Sequence, residues 1–295
     1  MTPLSTTQWW EISVTADPLL DDPICWRLQD QGCLGTASQQ IDGRLTVRGY
    51  LPKSQPVDLE NIAALLRQDV AEMDQGDLVI DWQIVPEEDW AKSWKDHWHS
   101  ETIGERLMIH PAWLPRPQTD RLVVTLNPGV AFGTGAHATT QLCLKALERQ
   151  PLETDSMMAD IGCGSGILSI AAVMLGAGRV YGVDTDPLAV DAASESRDLN
   201  GISPKQIQFT LGSIEQMIAT EWRVDGFVCN ILAEIILKLI PQFRQIMKPD
   251  AWGLLSGILV SQSSMITTAL AEQGWQVAEM TQQGDWCCLK IRQID

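Results

Sequence analysis

Two acids and three glycines are spaced so that they could hold one small ligand. Asp160 stands just before Gly162, Gly164 and Gly166, and Asp184 closes the next apolar run. Glycines at such a turn allow backbone angles that other residues resist, and without a Cβ they let a ligand lie against the main chain. Two ligands compete for the turn. A dinucleotide calls for G-x-G-x-x-G, with its pyrophosphate on the following helix N-terminus. Position 167 is Ile167, so the third glycine comes one residue early, and the charge of Asp160 opposes a pyrophosphate. S-adenosylmethionine has no phosphate and carries a sulfonium and an ammonium, which suit Asp160. Asp184 is placed to accept from both ribose hydroxyls, as an acid does about 20 residues after the glycines of a nucleotide fold. The glycines alone are weak evidence. With both acids they favour the methyl donor over a dinucleotide or a purely structural turn.

These residues need a strand, a turn and a helix to hold them. Met157 to Ile161 form the strand, and Ile167, Leu168, Ile170, Ala171 and Val173 give the buried helix face. Val180, Tyr181 and Val183 make a second strand. Asp186-Pro187 opens the next helix as N-cap and first residue, and Asn200-Gly201 stops it. Ile207 to Leu211 is a third strand, and Phe227 to Cys229 a fourth, ending at Asn230-Ile231-Leu232-Ala233. A helix over 234–247, a strand from Trp252 to Ser256, a helix over 261–273 and a hairpin of 275–281 with 286–291 complete the pattern. The expected fold class is α/β, a doubly wound, mostly parallel sheet. Ligands of such sheets sit at the carboxyl ends of the strands, and the first and fourth strands flank the switch point. Asn230 is therefore expected to face the donor across the crevice.

The first 85 residues read differently. Trp10, Ile12 and Val14 alternate, Leu20, Ile24 and Leu28 follow at helical spacing, and Asp42-Gly43 is a hairpin turn. Leu59, Ile62, Ala63, Leu66 and Val70 form a second stripe, and Leu78, Ile80, Trp82 and Ile84 alternate again. The order β-α-β-β-α-β predicts a small ferredoxin-like α+β domain. Pro86 and the acids after it start a helix on which Trp90, Trp94 and Trp98 share one face, as a seam between linker and domain. His97 and His99 have no third ligand near them, so no metal site is expected. Short strands at Leu107 to His110 and Leu122 to Thr125 lead to a loop from Asn127 to Thr140. Its glycines, hydroxyls and single aromatic, Phe132, suit a lid. The expected boundaries are 1–85 for a recognition domain, 86–103 for a linker helix and 104–295 for a methyltransferase domain.

Composition narrows the function classes. The 295 residues exceed one typical domain, and a hydrophobic content of 45% supports a sizeable core. The seven cysteines are odd in number and include no C-x-x-C, which reads as reduced core residues in a cytoplasmic protein. The first residues lack a basic region followed by an apolar core, and no apolar stretch is long enough to span a membrane. A net charge of −17 repels a phosphate backbone and attracts basic partners, so direct action on nucleic acid is not expected.

Together these stretches resemble the PrmA family, the methyltransferases of ribosomal large-subunit protein eleven. The likeness runs over most of the chain. Its most specific piece is Pro128 to Gly135 with His137-Ala138-Thr139-Thr140; next come Asp160 to Gly166, Asn230 to Ala233, and the segment from Asp89-Trp90 to Trp94-Lys95. Asn127 stands where the family usually has Asp, and Ala138 where it has Pro. The resemblance implies a ferredoxin-like domain that holds the ribosomal protein and a catalytic domain that transfers methyl groups from S-adenosylmethionine to lysine ε-amines and the N-terminal α-amine. It carries cofactor contacts to Thr140, Gly162, Asp184 and Asn230, with Phe132 covering donor or target. Asp160 and Gly164 join this set from the turn itself, and Asn230 is the expected catalytic residue. No obvious His or Glu base stands beside the motifs, so the amine is expected to lose its proton to water while the Asn230 oxygen or nearby carbonyls hold its N–H groups. The rivals are a methyltransferase for another protein or a small molecule, and a ribosome-assembly binder without turnover.

Overall fold

Period-two alternation dominates before residue 86 and continuous apolar runs dominate after 157, and two kinds of sheet result. The computed structural model describes residues 8–33, 36–41, 43–54, 56–72, 78–86, 99–127, 137–220 and 222–294. The chain divides into two compact units, residues 1–98 and 99–295.

The smaller unit runs β1 (Gln8–Ala16), α1 (Asp21–Asp30), β2 (Thr36–Ile41), β3 (Arg44–Pro52), α2 (Leu59–Glu72) and β4 (Val79–Pro86). Its antiparallel sheet has the order β2-β3-β1-β4, so β1 and β2 are parallel with β3 between them, a split β-α-β. Ile12, Val14 and Ala16 of β1 pack against Leu20, Ile24 and Leu28 and against Ile62, Leu66 and Val70 of α2. Arg27 of α1 donates to both carboxylate oxygens of Asp69 in α2, at 2.6 and 2.7 Å. Ile80 and Trp82 of β4 join this core, but Ile84 is 41% exposed, so the alternation keeps its phase without burying its last member. Ile41 pairs with Arg44 across the hairpin, and Gly43 has φ +77° as a two-residue turn requires. Asp42 lies outside the described residues.

The larger unit begins with β5 (Glu101–Ile103), β6 (Leu107–Pro111) and β7 (Leu122–Leu126), a three-stranded sheet. Then come α3 (Ala138–Leu147), β8 (Met157–Ile161), α4 (Ile167–Leu175), β9 (Arg179–Asp184), α5 (Pro187–Leu199), β10 (Ile207–Leu211), α6 (Ile214–Ala219) and β11 (Val224–Asn230). After these follow α7 (Ala233–Leu239), β12 (Met247–Leu259), α8 (Ser263–Glu272), β13 (Trp275–Gln283) and β14 (Trp286–Gln293). The seven-stranded sheet has the order β10-β9-β8-β11-β12-β14-β13. It is parallel from β10 to β12, and β14 enters antiparallel between β12 and β13. The chain order reverses between β8 and β11, which makes their carboxyl ends the switch point. A large core lies on this sheet, with Phe227 and Phe243 tilted against each other at 4.7 Å and Trp275 edge-on to Phe243 at 6.4 Å.

Four expectations change. The end of the expected linker helix is strand β5, and its start, Pro86, ends β4; residues 87–98, with the three-tryptophan stripe, lie outside the described residues. The helix expected over 234–247 stops at Leu239, because Pro241 has no N–H to continue the ladder; a 3-10 turn runs from Ile240 to Gln245 instead. Strand β12 starts at Met247, before Pro249, and the proline is absorbed where the register against β11 jumps from Met247 to Trp252. Helix α6 has only six residues, too few for a helical period to show in the sequence.

Candidate functional site

The turn after β8 is held open by its own backbone. Gly162, Gly164 and Gly166 have φ of +74°, +52° and +77°, angles that disfavour any side chain. Gly162 and Cys163 both donate to the Val183 carbonyl, at 2.9 and 3.0 Å, which ties the turn to the end of β9. Asp184 then takes the Gly164 N–H on Oδ2 at 2.9 Å and the Asp186 N–H on Oδ1 at 3.0 Å. Each oxygen keeps acceptor capacity, and the residue is half-buried. A carboxylate at that place can take hydroxyls from a ligand lying on the turn.

Asp160 is fully buried beneath the glycines. Its Oδ2 accepts from Ser169 of α4 twice, from the hydroxyl at 2.6 Å and from the backbone N–H at 3.1 Å. Its Oδ1 has no partner among the described residues. Burial pushes its pKa from 3.8 up to about 7, with Asp184 adding to the rise, while the two Ser169 hydrogen bonds oppose it. An orphaned carboxylate oxygen under a glycine turn fits a cationic ligand and is costly without one. S-adenosylmethionine, with a sulfonium, an ammonium and a ribose, matches this donor and acceptor set.

Asn230 ends β11 beside this turn, and its Nδ2 donates to Thr140 Oγ1 at 3.3 Å. Thr140 is 2% exposed, in the first turn of α3. That helix is capped by His137, whose Nδ1 accepts from Thr139 N–H at 3.3 Å and lies 2.7 Å from its hydroxyl; Ala138 starts the helix without the proline of the usual motif. The structure thus brings together Thr140, Asp160, Gly162, Gly164, Asp184 and Asn230 at the carboxyl ends of β8, β9 and β11. Phe132 and the lid segment 128–136 lie outside the described residues.

Three further residues hold the site. Ser169 is the only polar side chain in the apolar run of α4, which could have marked it as a partner for Asp160. Ser256 lies opposite Asn230 in β12; its carbonyl accepts from Ile231 N–H at 3.2 Å and its hydroxyl donates to Cys287 O at 3.0 Å. Gly257 follows at φ +79°, where the register of β12 against β14 slips by one residue. A lone glycine inside a strand pattern is the signal for that bulge. The glycine at 162 also has a reason that spacing does not reveal. A Cβ there would run into the γ2 methyl of Ile231, so the residue is small because Ile231 lies over it.

A doubly wound sheet with this turn, two acids and a carboxamide across the switch point defines an S-adenosylmethionine-dependent methyltransferase. The chain matches the family model described as ribosomal protein L11 methyltransferase (PrmA) over residues 8–293. It is 48% identical to the ribosomal protein L11 methyltransferase of Cyanothece sp., over 98% of this chain and 99% of that one. It is 46% identical to the protein of that name from Thermosynechococcus vestitus, over 97% of each. The crystal structure of a ribosomal protein L11 methylase from Lactobacillus delbrueckii subsp. bulgaricus aligns with TM-score 0.62 at 36% identity, covering 67% of this chain and 100% of that chain. The chain belongs to the PrmA family.

Proposed function

We propose that this protein methylates protein eleven of the large ribosomal subunit in the cytoplasm, at lysine ε-amines and at the N-terminal α-amine. The family match along nearly the whole chain supports the substrate. The observation that carries the amine chemistry is Asn230: its Nδ2 is committed to Thr140, and its Oδ1 accepts no hydrogen bond from any described residue. Bound S-adenosylmethionine supplies a methyl group activated on sulfur. Asp160, Gly162, Gly164, Asp184, Thr140 and Asn230 hold that donor.

The amine must be neutral to react. A lysine near pKa 10.4 costs about 4.6 kcal/mol to deprotonate at neutral pH, and an α-amine near 8 costs about 1.4 kcal/mol. A carboxylate beside the amine would stabilise the ammonium and raise that cost. The neutral Asn230 oxygen accepts an amine N–H without that penalty, and water takes the proton. The smaller unit holds the ribosomal protein, and the larger unit carries out the transfer.

The test is incubation with labelled donor and isolated protein eleven, followed by peptide mapping in a mass spectrometer. Label on lysines and the N-terminus is the expected result. Label confined to other side chains, or donor binding without transfer, overturns the proposal.

A further inference from the structure

Ile231 is held on two sides by glycines, Gly257 of β12 and Gly162 of the turn after β8. Its backbone presses on Gly257, where a Cβ would collide with the Ile231 carbonyl oxygen and lie 2.7 Å from its carbon and 3.0 Å from its nitrogen. Its side chain reaches the other way, and the γ2 methyl covers Gly162 with no other atom as near. The Ile231 N–H is tied to Ser256 O at 3.2 Å. Asn230 is the preceding residue. Three contacts therefore fix the peptide that carries Asn230 against the turn beneath the donor, and two of them require glycine opposite.

We propose that Ile231 is a positioning residue for methyl transfer: its backbone seated on the Gly257 bulge and its β-branched side chain lying over Gly162 together set the distance from the Asn230 carboxamide to the glycine turn. Misplacing reacting groups by about 1 Å can cost about a hundredfold in rate, so a wedge one residue from the acceptor controls turnover without touching the substrate. The γ2 methyl is the part that matters. Valine keeps it, whereas leucine keeps the volume and moves the branch one carbon outward. The inference rests on Asn230 holding the amine.

The experiment compares Ile231→Val with Ile231→Leu in the full-length protein. It reads single-turnover transfer to protein eleven at saturating donor, donor affinity by calorimetry, and hydrogen exchange over residues 230–232 in the free protein. Ile231→Val is expected within about threefold of the parent rate; Ile231→Leu should be slower by about tenfold to a hundredfold, with donor affinity within about threefold and faster exchange at 230–232. Gly162→Ala supplies a second reading. Its methyl meets only the Ile231 side chain, so combining it with Ile231→Ala should lose less activity than the two single changes together predict. Equal rates and equal exchange for the valine and leucine variants overturn the inference, as does strict additivity with Gly162→Ala. An Asn230→Ala variant as fast as the parent would instead remove the reading on which it rests.

Discussion

Asp160 shows how one buried group can make donor binding depend on pH. Its folded pKa is raised from 3.8 to about 7, chiefly by burial. Below 3.8 the group is protonated in folded and unfolded chains alike and has no effect. As pH rises from 3.8 to about 7, the unfolded chain gives up the proton and the folded one holds it, so stability falls, by up to about 4 kcal/mol. A cationic donor reverses part of this cost by favouring the carboxylate. Donor affinity should therefore rise between pH 6 and 8, with a proton released on binding, as read by calorimetry in buffers of different ionisation enthalpy. Asp160→Asn should bind more weakly, show no such rise, and be the more stable protein at pH 8. A parent whose affinity is flat across that range would disprove the role. At this scale the chemistry was legible, because Asp160 and Asp184 sit in one short stretch. The wedge of Ile231 on Gly162 was not, since 69 positions separate two residues that touch.

Among the elements, α3 links the site to the rest of its unit. Its first turn carries Thr140, and just past its last turn the Glu148 carboxylate accepts the N–H groups of Glu105, Arg106 and Leu107, each at 2.9 Å. Three charge-assisted hydrogen bonds on one turn fix the far end of the helix to β6. Glu148→Ala should lower stability by about 2–3 kcal/mol, measured by urea unfolding, while donor affinity changes little, because Thr140 and its His137 cap are untouched. A large loss of donor binding without loss of stability would show that Glu148 acts on the site itself. Elements with long periodic patterns matched expectation, and α5 ran from Pro187 to Leu199 between its Asp186 cap and Asn200. Those decided by a single proline or by distant pairing did not. Pro241 ends α7, and nothing local in Trp286 to Gln293 shows that β14 enters between β12 and β13.

Over the whole molecule, 38 acidic residues face 21 basic ones, a net charge of −17 that favours approach of a basic protein. The specificity constant for protein eleven should fall as salt rises from 0.05 to about 0.3 M, while donor affinity stays nearly constant; an unchanged constant would make the acidity a matter of solubility alone. A chain cut at His99, which leaves β5 intact, should bind the donor and lose most activity on the ribosomal protein. Undiminished turnover by that fragment would refute the division of labour between the units. The most direct test of the account is single-turnover methyl transfer to protein eleven, read by intact mass, for parent and Asn230→Ala. The parent should gain whole methyl increments, and the variant should react at least about a hundredfold more slowly, the loss of one aligned hydrogen bond in a closed site, with the fold intact. Asn230→Asp should still hold the amine but raise its pKa, moving the rise of rate to higher pH. If Asn230→Ala transfers methyl groups as fast as the parent at every pH, the carboxamide is structural and the account is contradicted.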